Sequence, residues 1–401
     1  MPILNRIAAF HDAMTAWRRH LHAHPELGFA ESRTAAFVAE KLESFGIDEV
    51  HTGLAGTGVV GVVRAGSAAR AIGLRADLDA LPIEEATGAP WASTAPGKMH
   101  ACGHDGHTAM LLGAARYLAE TRGFDGTVHL IFQPAEEVGG EHSGARRMLD
   151  EGLLERFPAE RVFGLHNSPR LPLGRFAVRK GPAMAAVDDF RIAVTGKGCH
   201  AAFPHHGRDP IAVGCQIAQA LQTLVAREID PLDGAVVALT RFIAGKAYNV
   251  VPETAELGGT VRTLRPETRA LLERRLREIA DGFAAAAGAT ASLGYRRGYP
   301  AVSNSPREAE LVADVAAALV GEANVDRDPL PVMAAEDFAF LLQARPGAFV
   351  HLGIGGGEQG KMVHSPIYDF NDAALPLGAS YWALLVERLL PRRPEGLAGT
   401  A

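Results

Sequence analysis

Apolar residues recur at helical spacing over residues 4–23 and again over 31–45, after Glu31-Ser32-Arg33-Thr34, which predicts two helices. The texture then changes. Gly58-Val59-Val60-Gly61-Val62-Val63 and Ala71-Ile72-Gly73-Leu74 are short, branched and apolar, and they read as buried strands. A helix is expected over 105–121 with Asp105 as its N-cap, then a strand over 126–132, a helix over 141–153 and a strand over 161–165. Strands alternating with helices predict an α/β layer on a mostly parallel sheet.

The pattern changes near Gly181-Pro182. Residues 188–195 alternate as a half-exposed strand, and a helix covers 209–227. Strands over 235–243 and 254–263, a charged helix over 266–285 and a strand over 289–296 complete a β-α-β-β-α-β order, that of a ferredoxin-like unit. From Pro300 the first texture resumes, with helices over 306–320 and 336–343, a strand over 348–353 and a helix over 373–391. The expected organisation is a catalytic α/β domain over 1–183 and 299–401, interrupted by a small α+β domain over 184–298. The tail from Pro391 reads as a disordered terminus.

Composition narrows the function. With 40 basic and 46 acidic side chains the formal charge is −6, which supports neither a nucleic-acid nor an anionic-membrane partner. No apolar run reaches the roughly 20 residues that span a bilayer. Cys102, Cys199 and Cys215 cannot build a disulfide framework and read as reduced thiols. With no apolar segment of secretory type at the start, the expected location is the cytoplasm.

Four polar clusters interrupt this apolar background. They are Arg75 to Asp79, His100 to His107, Pro134 to Glu137, and His166-Asn167. Three follow directly on predicted strands and the other precedes a helix, so parallel strands would gather them at one sheet edge, where α/β folds bind ligands. His364 lies in a later loop. Cysteine, histidine and glutamate are the ligand set of zinc and its neighbours. Cys102 and His104 can reach one centre from an irregular loop, joined by Glu137, His166 and His364. Five ligands exceed one open tetrahedral site, and a thiolate can bridge, so two divalent ions are expected, the arrangement that suits hydrolysis. Glu136 is the candidate general base, because a carboxylate committed to metal carries protons poorly. Each residue alone also has an ordinary structural reading; the joint placement carries the argument. His20, His22 and His24 read as a polar helix face, and Asp188, Asp189 and Asp209 as surface acids.

These residues sit in stretches that resemble the M20 metallopeptidases, in the amidohydrolase branch of hippurate hydrolases, N-acyl-amino-acid amidohydrolases and auxin-conjugate hydrolases. The matching stretches are HAHPELGFAE (22–31), RADLDALPIEE (75–85), MHACGHDGHTAMLLGAA (99–115), GTVHLIFQPAEE (126–137), FGLHNSP (163–169), GKGCHAAFPHHGRDPI (196–211), NVVPETAELGGTVRT (249–263) and VHSPIYDFNDAALP (363–376). The resemblance implies a zinc-peptidase-like catalytic domain with an inserted lid that is often also the dimerisation surface. It implies that Cys102 bridges two ions (zinc, manganese, cobalt or nickel), with His104 and His166 completing one site and Glu137 and His364 the other. Glu136 would be the base and Asp77 a carboxylate that orients a ligand. Many M20 relatives outside this branch have a histidine ligand in place of Arg75 and a bridging aspartate in place of Cys102. In the lid, His200 would contact the substrate's acyl oxygen, while Asn249 and Arg262 would bind its carboxylate, since a guanidinium fork matches that group.

The expected activity is metal-dependent cleavage of the amide of N-acyl amino acids, by a homodimer or tetramer assembled through the lid. The alternatives are a broad dipeptidase or aminoacylase of the same fold, a metal-free enzyme with Cys102 as nucleophile and His104 as base, and a non-catalytic metal or amino-acid binder.

Overall fold

A computed structural model describes residues 4–392. The expected disordered tail beyond Arg392 lies outside them. The chain divides into two compact units: one runs to Gly181 and resumes over Ser303–Leu330 and from Phe340 onward, and the other comprises Pro182–Val302 and Pro331–Ala339.

The first unit opens with helices α1 (His11–Ala23) and α2 (Ser32–Ser44). The helix expected over 4–23 is broken, with a separate turn at Asn5–Ala8. Strands β1 (Glu49–Leu54), β2 (Gly58–Ala65) and β3 (Ala71–Asp77) precede helix α3 (His104–Thr121). Then come β4 (Gly126–Gln133), β5 (Arg161–Ser168) and β6 (Phe176–Ala177). The expected helix over 141–153 shortens to Gly144–Asp150, because Gly152 at φ 87° turns the chain out of helical geometry. In the second unit β7 (Ala186–Thr195), α4 (Pro210–Leu221), β8 (Ala235–Ala244), β9 (Thr254–Thr263), α5 (Pro266–Ala286) and β10 (Thr290–Arg297) follow in turn. The first unit resumes with α6 (Pro306–Val320), β11 (Val325–Asp326), β12 (Gly347–Gly353) and α7 (Leu375–Leu389).

The large sheet has the order β1-β2-β4-β3-β5-β12-β6-β11. It is mixed. The central strands β4, β3, β5 and β12 run parallel, whereas β1 and β2 add antiparallel on one side. Sequence patterning did not find β1: its half-exposed residues (Glu49-Val50-His51) lack the apolar run of a buried strand. The central strands are continuous apolar runs because both faces are covered; every residue of β3 is buried. Helix α3 packs against α7, α1 and β3. It is apolar nearly all round, with Met110, Leu111, Leu112 and Leu118 fully buried, as an interior helix must be.

The small sheet of the second unit has the order β8-β9-β7-β10, every neighbour antiparallel. The element order is the β-α-β-β-α-β order read from the sequence. Ile192, Val194, Leu257, Ile217, Leu272 and Leu276 form its core. Alternate residues on β7 face the other way, where Asp189 pairs with Arg296 and Arg191 with Glu256. One acid read as a surface residue is not one. Asp188 is 1% exposed and accepts from Arg269 Nε at 2.9 Å and Tyr295 Oη at 2.6 Å. Sequence alternation puts Asp188 on the inward face, but its two partners come from far along the chain. Asp209 caps α4 by accepting from Ile211 N–H.

Candidate metal centre

Parallel pairing brings the C-terminal ends of β3, β4 and β5 side by side, and the polar clusters gather there. Asp77 ends β3, Glu136 and Glu137 follow β4, and His166 lies near the end of β5. Cys102 and His104 arrive from the loop that opens α3. His364 comes from the loop before α7, its N–H donating to Ala101 O at 2.7 Å.

Two ligand sets share one atom. The potential ligand atoms of Cys102, His104 and His166 lie within 4.8 Å of one another, as do those of Cys102, Glu137 and His364. His166 Nε2 is 3.4 Å from Cys102 Sγ, and its Nδ1–H donates to Asn167 O at 2.7 Å, so that Nε2 is the atom that a cation would meet. His364 Nε2 is 3.1 Å from Glu137 Oε1. Glu136 is buried and belongs with His104 and Glu137 to a third close group.

The donor set fits a cation. His104 Nε2 is buried, has no hydrogen-bond partner and lies 4.0 Å from Glu137 Oε1, which itself faces His364. Such an orphaned atom costs free energy unless something satisfies it. The electrostatics agree. Burial alone would lower His104, yet Asp77, Asp79 and Glu137 push it up to about 10. Burial drives the Cys102 thiol well above its ordinary range, reinforced by Glu137, Glu136 and Asp77. The pocket therefore disfavours a thiolate that lacks a cation beside it, which weighs against Cys102 as a metal-free nucleophile.

The segments are held tightly. Gly103 precedes α3 at φ 96°, and a Cβ there would meet Asn167 Nδ2 and Tyr368 Oη at 2.4 Å each. Only glycine fits, and it takes the cap position expected of Asp105, which sits inside the first turn instead. Ala135 and His364 also have positive φ, 53° and 63°, strained values for residues with a Cβ. Ala135 N–H is pinned by buried Glu31 Oε1 at 2.8 Å.

Asp77 accepts from His107 Nδ1–H and from Arg75 Nη1, each at 2.6 Å, with His104 Nε2 3.7 Å away. His104 Nδ1–H donates instead to Asp79 Oδ1, at 3.2 Å. Burial lowers His107 to about 4. Its Nε2 accepts from Asn167 N–H at 2.9 Å. Both His107 nitrogens are thus engaged away from the ligand sets. Sequence reasoning missed Asp79, His107 and Asn167 as contributors. The one available signal was Asp79 falling two residues after Asp77, beyond a strand end.

The remaining predicted residues lie in the second unit. His200 pairs with Val250 in a short ribbon, and Asn249 O accepts from Ala201 N–H at 3.0 Å, so the ribbon brings these two together. Both are exposed. Arg262 lies on β9 between Val236 and Val187, partly buried, and burial lowers its guanidinium against the opposing pull of Asp189 and Asp188.

Behind α3, His22 is fully buried rather than part of an exposed face. Its Nδ1 meets Asp105 Oδ2 at 2.8 Å and its Nε2 meets Glu85 Oε1 at 3.3 Å. Arg18, also buried, stands 3.7 Å from Asp105 and donates to Asp372 at 2.7 Å. Burial would lower His22, but Asp105 and Glu85 raise it to about 9 against the opposing Arg18. A raised folded value stabilises fully below about pH 6.5 and is lost as pH climbs through about 9. The shift corresponds to roughly 3 kcal/mol. Denaturant unfolding at pH 6 and pH 9.5 should therefore show the wild type losing more stability than His22→Gln. Equal losses would remove this role, whatever His100 and the surrounding acids contribute in common.

A mixed α/β sheet with a Cys-His-carboxylate cluster at the ends of its parallel strands defines a metallohydrolase of zinc-peptidase type. The chain belongs to peptidase family M20/M25/M40, whose sequence profile matches residues 73–388. It is 41% identical over 373 residues to the hippurate hydrolase of Campylobacter jejuni, covering 93% of this chain and 95% of the relative. It is 41% identical over 378 residues to the N-acetylcysteine deacetylase of Bacillus subtilis, covering 94% and 97%. A solved Bacillus subtilis structure, described as a dinuclear metal-binding peptidase from the M20 family, superposes with a TM-score of 0.84 at 38% identity, covering 96% of this chain and 99% of that one.

Proposed function

We propose that the chain is a metal-dependent amidohydrolase that cleaves N-acyl amino acids to a carboxylic acid and an amino acid. The observation that carries this reading is the pair of ligand sets meeting at Cys102, with Glu136 beside them. The names of the relatives, a hippurate hydrolase and an N-acetylcysteine deacetylase, support the substrate class.

Cys102, His104 and His166 would hold one divalent ion and Cys102, Glu137 and His364 a second. Ions so held would activate water and stabilise negative charge on the acyl oxygen. Imidazole, thiolate and carboxylate suit zinc, and also manganese, cobalt and nickel. Glu136 takes the proton from water as its oxygen bonds to the acyl carbon, then delivers it to the nitrogen as the C–N bond breaks. His200 donates to the acyl oxygen, and Arg262 with Asn249 grips the carboxylate of the amino-acid half. A homodimer or tetramer through the second unit, acting as a lid, completes the reading. Edge strand β8 supports it, leaving Phe242 39% and Ile243 52% exposed. We place the enzyme in the cytoplasm; no helix among the described residues is long and apolar enough to cross a membrane.

The test is hydrolysis of N-benzoylglycine, several N-acetyl amino acids and simple dipeptides, by protein as purified, after chelation and after metal add-back. The expected result is activity on the acyl amino acids that disappears on chelation and returns with a divalent ion. Preference for dipeptides would move the substrate assignment. Full activity in protein shown to be stripped of metal would overturn the mechanism.

A further inference from the structure

Two ligands, one from each set, depend on a single buried side chain that belongs to neither. Asp79 is 1% exposed and lies two residues beyond β3. Its Oδ1 accepts from His104 Nδ1–H at 3.2 Å, and its Oδ2 accepts from the backbone N–H of Glu137 at 2.9 Å. The first bond fixes the histidine tautomer, so that Nε2 presents its lone pair. The second fixes the backbone of the Glu136-Glu137 pair, and with it the base and a ligand. Asp79 is itself anchored, since the next residue, Ala80, donates its N–H to Glu26 O at 2.8 Å.

We propose that Asp79 is a positioning residue that couples the two ligand sets, so that one carboxylate sets the affinity of both for divalent ions. The inference rests on the two-ion reading above. Asp77 is committed to Arg75 and His107. Asparagine at position 79 keeps the size but offers one acceptor, and its NH2 must oppose one of the two N–H groups. Loss of a hydrogen-bond partner behind a ligand typically costs about 10–100-fold in metal affinity.

The experiment titrates metal-stripped wild type and Asp79→Asn with zinc and with manganese, reading stoichiometry and the affinity of each step. The visible spectrum of cobalt-loaded protein reports ligand geometry, and circular dichroism of the metal-free proteins checks the fold. The expected result is two ions on the wild type, both steps weakened about 10–100-fold in the variant, and an altered cobalt spectrum. Asp79→Glu should not rescue, because its longer arm cannot meet both donors in place. Affinities within twofold of wild type would overturn the proposal, as would weakening of one step alone, which reduces Asp79 to a partner of one set. A wild type that takes up no ion, or one only, would instead overturn the two-ion reading, so the two failures are distinguishable. Should Asp79→Asn fail to fold, Asp79→Ser, smaller and with a single acceptor, carries the same expectation.

Discussion

Glu136→Gln is expected to retain its metal and lose 10²–10⁴ of kcat, the usual contribution of a positioned general acid–base. That is roughly 3–5 kcal/mol of barrier. The substitution conserves size, and the carboxamide still fits a site where the glutamate is 6% exposed. What it removes is the ability to accept a proton from water and return one to the departing amine. Neither Cys102-centred set includes Glu136, so metal content should stay near wild type. Because the lost interaction belongs to the transition state, KM for an N-acyl amino acid should change little beside kcat. Steady-state kinetics with metal analysis on one preparation checks both halves. Normal turnover would remove Glu136 as the base, and metal loss would make it a ligand.

Cys102→Ala should have an equally large effect by a different route. Cys102 is the one member common to both sets, so its removal leaves His104 with His166 and Glu137 with His364. Two-ligand remnants bind poorly. Metal affinity should fall on the order of 100-fold or more, beyond what an outer hydrogen bond costs. Activity falls with it, and a large excess of metal recovers only part. The rival scheme, with Cys102 attacking the acyl carbon, requires lost activity with unchanged metal. Metal analysis of the dialysed variant separates the two, and unchanged occupancy would end the bridging proposal.

Much of the fold was legible because its signals are local. The glycine-bounded apolar runs of β2 and β3, and the polar clusters after β3, β4 and β5, are short stretches whose meaning depends only on the strands being parallel. The gathering of Cys102, His104, Glu137, His166 and His364 followed from that placement and from the family resemblance. What escaped depends on pairings between distant segments. His22 reads as one of three histidines on a polar helix face until Asp105 and Glu85 close on it. Asp188 needs Arg269 and Tyr295. The start of α3 is set by how closely Asn167 and Tyr368 approach Gly103, which no helix-capping rule applied to residues 102–107 could reveal. Asp79 was in view within its cluster, but which of two nearby aspartates meets His104 is decided by side-chain geometry.

The order of residues along the chain has a consequence for biosynthesis. Cys102, His104, Glu137 and His166 all precede the second unit, whereas His364 follows it. β5 is flanked on one side by β3 and on the other by β12, a strand from the closing part of the chain. A ribosome making this protein releases four would-be ligands long before the last, with a whole folding unit translated in between. A hydrolytic centre that needs both sets cannot be assembled on an unfinished chain. In the proposed two-ion reading, synthesis itself then acts as the timer: the second ligand set, and with it catalytic competence, is completed only when the carboxyl-terminal segment that carries His364 has emerged and docked.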